Sequence, residues 1–274
     1  MHGLGNDFVL INRFQEEVSR PAQLAQEMCD RNFGIGADGL ILVLPAQKPE
    51  ADFRMRIFNP DGSEPEMCGN GIRCFAKYLY DQELTEKKQV NVETLAGIIK
   101  PELLFEAGEV NQVKVDMGEP ALKRSQIPMK GPEQDQIVDE TLTVKEQEVE
   151  ISCVSMGNPH CVIFIEDAEA APVRELGPKI ETHDVFPENT NVEFIEVMNK
   201  EELKMRVWER GAGVTLACGT GACGSTVASI LRGATNNQVT VHLLGGDLII
   251  EWAANNHVYM TGPATEVFTG QWKL

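Results

Sequence analysis

The chain has 274 residues, 42% hydrophobic and 24% charged, which suits one large or two ordinary globular domains with buried cores. A formal net charge of −18 excludes nucleic acid and anionic membranes as expected partners, because either would need a clustered basic face. Seven cysteines, an odd number in a long chain without any Cys-x-x-Cys spacing, argue against a disulfide framework, a zinc site and a thioredoxin-like site.

No apolar run reaches membrane-span length, and residues 1–8 lack the basic start and apolar core of a secretion signal. The expected compartment is cytoplasmic. A glycine loop at residues 3–6 leads into an apolar strand at 8–12. Residues 21–31 have helical spacing, with Pro21 near the start. Gly34 to Gly39 matches the Gly-x-Gly-x-x-Gly string of dinucleotide sites, but in the wrong order. That string needs a strand before it and a helix after it, whereas here the strand at 40–44 follows. Residues 53–58 alternate like a half-buried strand and end in the turn Asn59-Pro-Asp-Gly62. A helix is expected over 72–80, then short strands at 90–93, 97–101 and 110–117.

The stretch 119–147 is rich in charge and proline and is expected to connect two domains and to loop over the surface. Strands follow at 148–154, 161–165 and 190–197, with a short helix at 172–181. The helix at 222–231 is small and apolar almost all round, so it should be buried with sheet around it. Strands at 248–252, 257–260 and 265–272 close the chain.

The two halves repeat. Phe53-Arg-Met-Arg-Ile-Phe-Asn59 matches Leu203-Lys-Met-Arg-Val-Trp-Glu209, and Met67-Cys-Gly-Asn-Gly71 matches Ala217-Cys-Gly-Thr-Gly221 at the same separation. Gly5-Asn6 precedes Cys68 much as Gly157-Asn158 precedes Cys218. Asp116 to Ala121 resembles Tyr259 to Ala264. Half two has a strand before its Gly-Asn loop, while almost nothing precedes Gly3. The repeat implies two domains of one fold.

Cys68 and Cys218 each stand before a Gly-x-Gly turn at a helix start. The helix dipole and unpaired N–H groups there favour thiolate and can hold a carboxylate. One thiol from each of two related domains suits removal of a proton from one face of a carbon and delivery to the other. That chemistry is racemisation or epimerisation. The remaining cysteines, Cys74 and Cys223 among them, are read as core, and Arg73 and Lys77 as a solvated helix face.

The motifs His2-Gly-Leu-Gly-Asn-Asp-Phe8, Met67-Cys-Gly-Asn-Gly71, Met156-Gly-Asn-Pro-His160, Asn191-Val-Glu-Phe194, Glu209-Arg-Gly-Ala-Gly213 and Ala217-Cys-Gly-Thr-Gly-Ala222 resemble diaminopimelate epimerase, nearly end to end. The resemblance implies an α+β fold. Two homologous domains are each a mostly antiparallel sheet or barrel wrapped around a central helix, and pseudo-twofold symmetry relates them. It places residues 1–118 and 264–274 in the first domain, with a last strand returning to it, and 119–263 in the second. It implies a homodimer that converts LL-diaminopimelate to the meso form for lysine and peptidoglycan synthesis, with no cofactor and no metal.

Carried over by motif, Cys68 and Cys218 are the acid–base residues, and His160 and Glu209 tune them. Asn6, Asn59, Asn158, Asn191, Glu209 and Arg210 bind the substrate's polar ends. Gly69, Asn70, Gly219 and Thr220 hold the reacting carboxylate. Gly39 and Val214 stand where members carry glutamine and glutamate, so a side-chain contact at 39 is not expected. A proline racemase shares the two-cysteine logic, but Asn70 stands where that group has histidine, and proline offers no distal carboxylate for Arg210. A non-enzymatic thiol redox protein would instead work through a reversible disulfide.

Overall fold

A computed structural model describes residues 1–14 and 18–272, and divides the chain into two units. Unit 1 is Met1–Asp116 with Thr261–Leu274, and unit 2 is Met117–Met260.

Unit 1 contains β1 (His2–Gly3), β2 (Asn6–Asn12), α1 (Pro21–Cys29), β3 (Gly39–Pro45), β4 (Phe53–Phe58), α2 (Gly69–Asp81), β5 (Val92–Thr94), β6 (Gly97–Ile99), β7 (Glu102–Glu106) and β8 (Glu109–Asp116). The sheet order is β1-β2-β3-β4-β5-β6. Successive pairs are antiparallel, parallel, antiparallel, parallel and antiparallel. β7 and β8 pair antiparallel. Strand β3 is apolar at nearly every position because both of its faces are covered. Leu40 and Leu42 pack on Leu24 and Met28 of α1, while Ile41 lies against the first turn of α2. Helix α2 packs against β1, β2, β3, β4, β7 and β8.

Unit 2 contains β9 (Ile137–Val144), β10 (Gln147–Ser155), β11 (Pro159–Phe164), α3 (Val173–Glu181), β12 (Asn191–Val197), β13 (Glu202–Glu209), β14 (Gly213–Val214), α4 (Gly219–Leu231), β15 (Gln238–Leu243), β16 (Gly246–Trp252) and β17 (Val258–Gly262). Its strand order is β17-β16-β15-β13-β12-β11-β10-β9, with β14 on β13. From β10 to β16 the pairs run antiparallel, parallel, antiparallel, parallel, antiparallel, the same series as in unit 1. The repeat therefore extends to strand direction. Register agrees too: Phe8 pairs with Gly39 in unit 1 as His160 pairs with Asn191 in unit 2.

The apolar helix α4 is buried from Gly221 to Ser229 and touches β10, β11, β12, β13, β15 and β16. Its small side chains let six strands approach closely. Leu176 and Ile180 of α3 cover the opposite face of the sheet, against Val192 and Phe194.

Four expectations are corrected. The charged stretch 119–147 is not a surface excursion. It carries β9, and Arg124, Ile127, Met129, Ile137, Leu142 and Val144 are buried in unit 2. Residues 265–272 form no strand. Thr265 makes a single antiparallel bridge with His2, and Val267 and Phe268 are exposed, so no second strand covers them. The strand at 97–101 stops at Ile99, and β7 begins a separate hairpin at Glu102. Arg73 does not face solvent. It is fully buried because α2 is ringed by strands, and its guanidinium donates to the carbonyls of Pro263 and Gly69. Lys77 is largely covered as well, bonded to the Val110 carbonyl and Asp81. The edge strand before Asn6 exists, reduced to the two residues of β1.

Candidate active site

In unit 1 the site is built on the start of α2. Cys68 is the N-cap residue, with extended backbone at φ −138° and ψ 120°. Its sulfur accepts from the Gly71 N–H at 3.5 Å, so the thiol takes up one of the donors that a helix start leaves unpaired. Asn6, at the start of β2, places its carbonyl oxygen 3.9 Å from Cys68 Sγ and accepts from Asn70 Nδ2 at 3.1 Å. The Asn6 amide donates to Asp38 Oδ2 at 2.9 Å, which fixes which way the carboxamide faces. Burial works against the Asp38 carboxylate, but hydrogen bonds from Asn6, the Asp7 N–H and Arg31 outweigh it and hold its pKa below the usual value. The Asn70 carbonyl oxygen is buried with no partner among the described residues. Gly69 is the first residue of α2. Asn59 donates to Ser63 Oγ at 2.9 Å, within the turn after β4.

In unit 2 the same parts recur around α4. Cys218 is the N-cap, 5% exposed, and its sulfur accepts from the Gly221 N–H at 3.3 Å. Gly219 opens the helix, and Thr220 Oγ1 lies 3.7 Å from Cys218 Sγ. Asn158, the counterpart of Asn6, donates to Thr220 Oγ1 at 3.3 Å. Its carbonyl oxygen lies 3.0 Å from His160 Nε2. Asn191 bridges β12 to the loop after β13. Its amide donates to the Pro159 carbonyl at 2.9 Å, and its oxygen accepts from the Arg210 N–H at 3.0 Å. The Arg210 side chain is exposed and donates to the Glu188 carbonyl at 3.0 Å. Glu209, at the end of β13, is hydrogen-bonded to Thr215 and to Cys218.

Electrostatics differ from the simple helix-start expectation. Burial, with the Glu209 and Glu193 carboxylates added, pushes the Cys218 thiol well above its ordinary value. Thr220 and the Gly221 N–H oppose this and do not reverse it. Burial also holds the Glu209 carboxyl above the usual range, against hydrogen bonds from Thr215 and Cys218. The Cys74 thiol is pushed up to about 12 by burial, as suits a core residue.

The structure thus joins Asn6, Cys68 and Asn70 in unit 1, and Asn158, His160, Glu209, Cys218 and Thr220 in unit 2. Three residues not carried over as site residues take part. Asp38 anchors Asn6, Thr215 anchors Glu209, and Glu193 lies 2.7 Å from His160 Nδ1. Only Glu193 had a legible signal, its place within the Asn191-Val-Glu-Phe194 motif. Among the described residues, no group of three or more His, Cys, Asp or Glu side chains is placed to hold a metal ion.

A family model described as diaminopimelate epimerase matches residues 1–123 and 152–267. The chain is 61% identical to the diaminopimelate epimerase of Moorella thermoacetica, over 100% of this chain and 98% of the relative. It is 59% identical to that of Pelotomaculum thermopropionicum, over 99% and 96%. In fold it is similar to the crystal structure of a probable proline racemase from Agrobacterium radiobacter. The TM-score is 0.71 at 17% identity, covering 100% of this chain and 91% of the other.

Proposed function

The chain belongs to the diaminopimelate epimerase family, and on that premise we propose that Cys68 and Cys218 are the two acid–base groups of its reaction. The enzyme is an isomerase that epimerises diaminopimelate. The reacting carbon carries an amino group and a carboxylate, and its proton leaves from one face and returns to the other. One cysteine takes that proton as thiolate while the other, as thiol, supplies one. Neither step consumes an oxidant or a cofactor, and the two cysteines exchange roles between forward and reverse turnover.

The observation that carries this reading is the repeated constellation. Each unit sets a cysteine at a helix N-cap, its sulfur on the N–H three residues on, with an asparagine from the preceding Gly-Asn loop joined to the residue two after the cysteine. The other N–H groups of these helix starts are suited to the substrate carboxylate, whose charge grows as the α-proton leaves. In our reading Gly69, Asn70, Gly219 and Thr220 hold that carboxylate. Asn6, Asn59, Asn158, Asn191, Glu209 and Arg210 bind the remaining polar groups, with the exposed Arg210 guanidinium suited to the distal carboxylate. His160 and Glu209 set the protonation of the thiols. A homodimer working in the cytoplasm belongs to the same proposal. Among the described residues no helix is long and apolar enough to cross a membrane.

The test is proton exchange. Reduced enzyme incubated with LL-diaminopimelate in deuterated water, without pyridoxal phosphate, is expected to place deuterium at the α-carbon. Cys68→Ala and Cys218→Ala are each expected to abolish epimerisation. Near-native turnover by either variant would refute the two-base assignment.

A further inference from the structure

Glu193 lies on β12 with its side chain fully buried, and the only function so far given to its strand is to carry Asn191. Its Oε1 sits 2.7 Å from His160 Nδ1, and His160 is also fully buried. The other ring nitrogen, Nε2, lies 3.0 Å from the Asn158 carbonyl oxygen. Asn158 donates to Thr220 Oγ1, which lies 3.7 Å from Cys218 Sγ. The result is one chain of hydrogen bonds, Glu193–His160–Asn158–Thr220–Cys218, within unit 2.

The repeat shows that the fold does not need the first two members. Register places Phe8 at the position of His160, and Ile41 at that of Glu193. Unit 1 fills these places with apolar side chains and folds to the same strand order. A buried carboxylate–imidazole pair is seldom a gain over apolar packing, so its presence in one unit alone points to a task.

Direction supplies the task. An ionised carboxylate only accepts, so His160 Nδ1 must carry hydrogen. If Nε2 faces a carbonyl oxygen, it must carry hydrogen as well, and the ring is an imidazolium. Asn158 then presents its NH2 to Thr220, and the threonine hydroxyl hydrogen is free to point at Cys218. With a neutral ring accepting at Nε2, Asn158 would turn over and the threonine hydroxyl would donate to Asn158 instead. The sulfur would lose that donor.

We propose that Glu193 is a positioning residue that holds His160 doubly protonated and so aims the Thr220 hydroxyl at Cys218, favouring its thiolate. This rests on the reading of Cys218 as an acid–base group. The charged groups facing Cys218 are Glu209 from β13 and Glu193 from β12; His160 from β11 faces Glu209 and Glu193, and the Cys161 thiol is also near Glu193. The Glu193–His160 pair is net neutral either as ion pair or as glutamine with neutral imidazole. What Glu193→Gln changes is therefore the direction of the donors.

Two measurements decide the proposal without epimerase activity. Long-range ¹H–¹⁵N correlation spectra, with His160 assigned by its loss in His160→Gln, are expected to show both ring nitrogens protonated near pH 7.5. A neutral His160 ring in the unaltered enzyme overturns the proposal, whether or not any Glu193 variant folds. In Glu193→Gln, the pH midpoint of Cys218 alkylation by iodoacetamide, followed on its peptide by mass spectrometry, is expected to rise by about one unit. An unchanged or lower midpoint overturns it. Turnover in the same variant is expected to fall about 10–100-fold with KM within about threefold. If Cys218→Ala kept near-native turnover, the acid–base reading would fail, while ring protonation and alkylation would still report on the chain of donors.

Discussion

The Glu209 carboxyl is hydrogen-bonded to the Cys218 thiol, and burial makes both harder to ionise. The Glu209 charge adds to the cost of a thiolate at Cys218, while the hydrogen bond from Cys218 eases ionisation of Glu209. The pair favours the state in which only one proton has left. Such a state suits a cysteine that waits as thiol and yields its proton when a base is ready beside it. Glu209→Gln removes the charge, so Cys218 should become easier to ionise. Alkylation of Cys218 near pH 7 is expected to quicken about tenfold, a shift of about one unit. Epimerase turnover should fall by about 10²-fold or more in the same variant, because the base is gone. Slower alkylation would show that Glu209 acts on the thiol by some route other than its charge.

The second glycine of each Gly-x-Gly turn sets how closely the helix start approaches the sheet. A Cβ at Gly221 would stand 2.7 Å from Glu193 Oε1 and 3.1 Å from Cys218 Sγ. At Gly71 it would meet the methyl ends of Ile41 and Ile57 at 3.2 and 3.3 Å. Isoleucine ends can shift by a few tenths of an ångström, whereas a carboxylate held by His160 cannot. Gly221→Ala is expected to destabilise the fold by about 3 kcal/mol, as overpacking does, and to lose most activity. Gly71→Ala should stay within about 1 kcal/mol of the parent, since the helix propensity of alanine offsets part of the crowding. Equal denaturation midpoints for the two variants would contradict this account.

Much of the site was legible because it is duplicated. Asn6 and Asn158 are turn residues taken singly, but their matched distances to Cys68 and Cys218 marked them, and each does join the residue two after its cysteine. The central helix α4 was legible from its all-round apolar surface. Arg73 was not. A cation in the second turn of an amphipathic helix is ordinarily solvated, and only the ring of strands around α2, with the Pro263 carbonyl waiting there, makes burial possible. Strand β9 was hidden for a local reason. Its charged positions interrupt the alternation, and a register shift opposite Ile151 and Cys153 breaks the period of its apolar residues. Glu193 was quoted within a motif, yet its role depends on which face of β12 looks toward α4.

Buried thiols also predict how stability depends on pH. Burial raises Cys29 to about 11 and Cys74 to about 12, from an ordinary value of 9.0. The folded state then holds these protons where the unfolded chain has lost them. Their contribution is complete below about pH 9 and is lost as pH rises toward the folded values. Each should steepen the fall in unfolding free energy by about 1.4 kcal/mol per pH unit between pH 9 and 11. Urea denaturation across that range is expected to show a shallower slope for Cys74→Ala than for the parent. Parallel slopes would mean that Cys74 does not titrate with unfolding.

Arg73 links the start of α2 to the segment that follows β17. Its Nε donates to the Pro263 carbonyl at 3.2 Å and its Nη1 to the Gly69 carbonyl at 3.1 Å. Gly69 is the residue next to Cys68, so the guanidinium fixes the peptide on which the thiol depends. Arg73→Met fills much of the same volume but leaves the buried Pro263 carbonyl without its donor, while the Gly69 carbonyl keeps its helical bond. The expected cost is about 1–3 kcal/mol, from one stranded acceptor and the lost charge-assisted bonds. Hydrogen exchange separates this from a general loss of stability. Faster exchange should concentrate at the amides of His2 and Thr265, whose mutual bridge holds the segment beside β1, and at the first turn of α2. The alternative outcome, uniform acceleration across β3 and β4 as well, would place the role of Arg73 in the core as a whole and not in fastening that segment to the helix start.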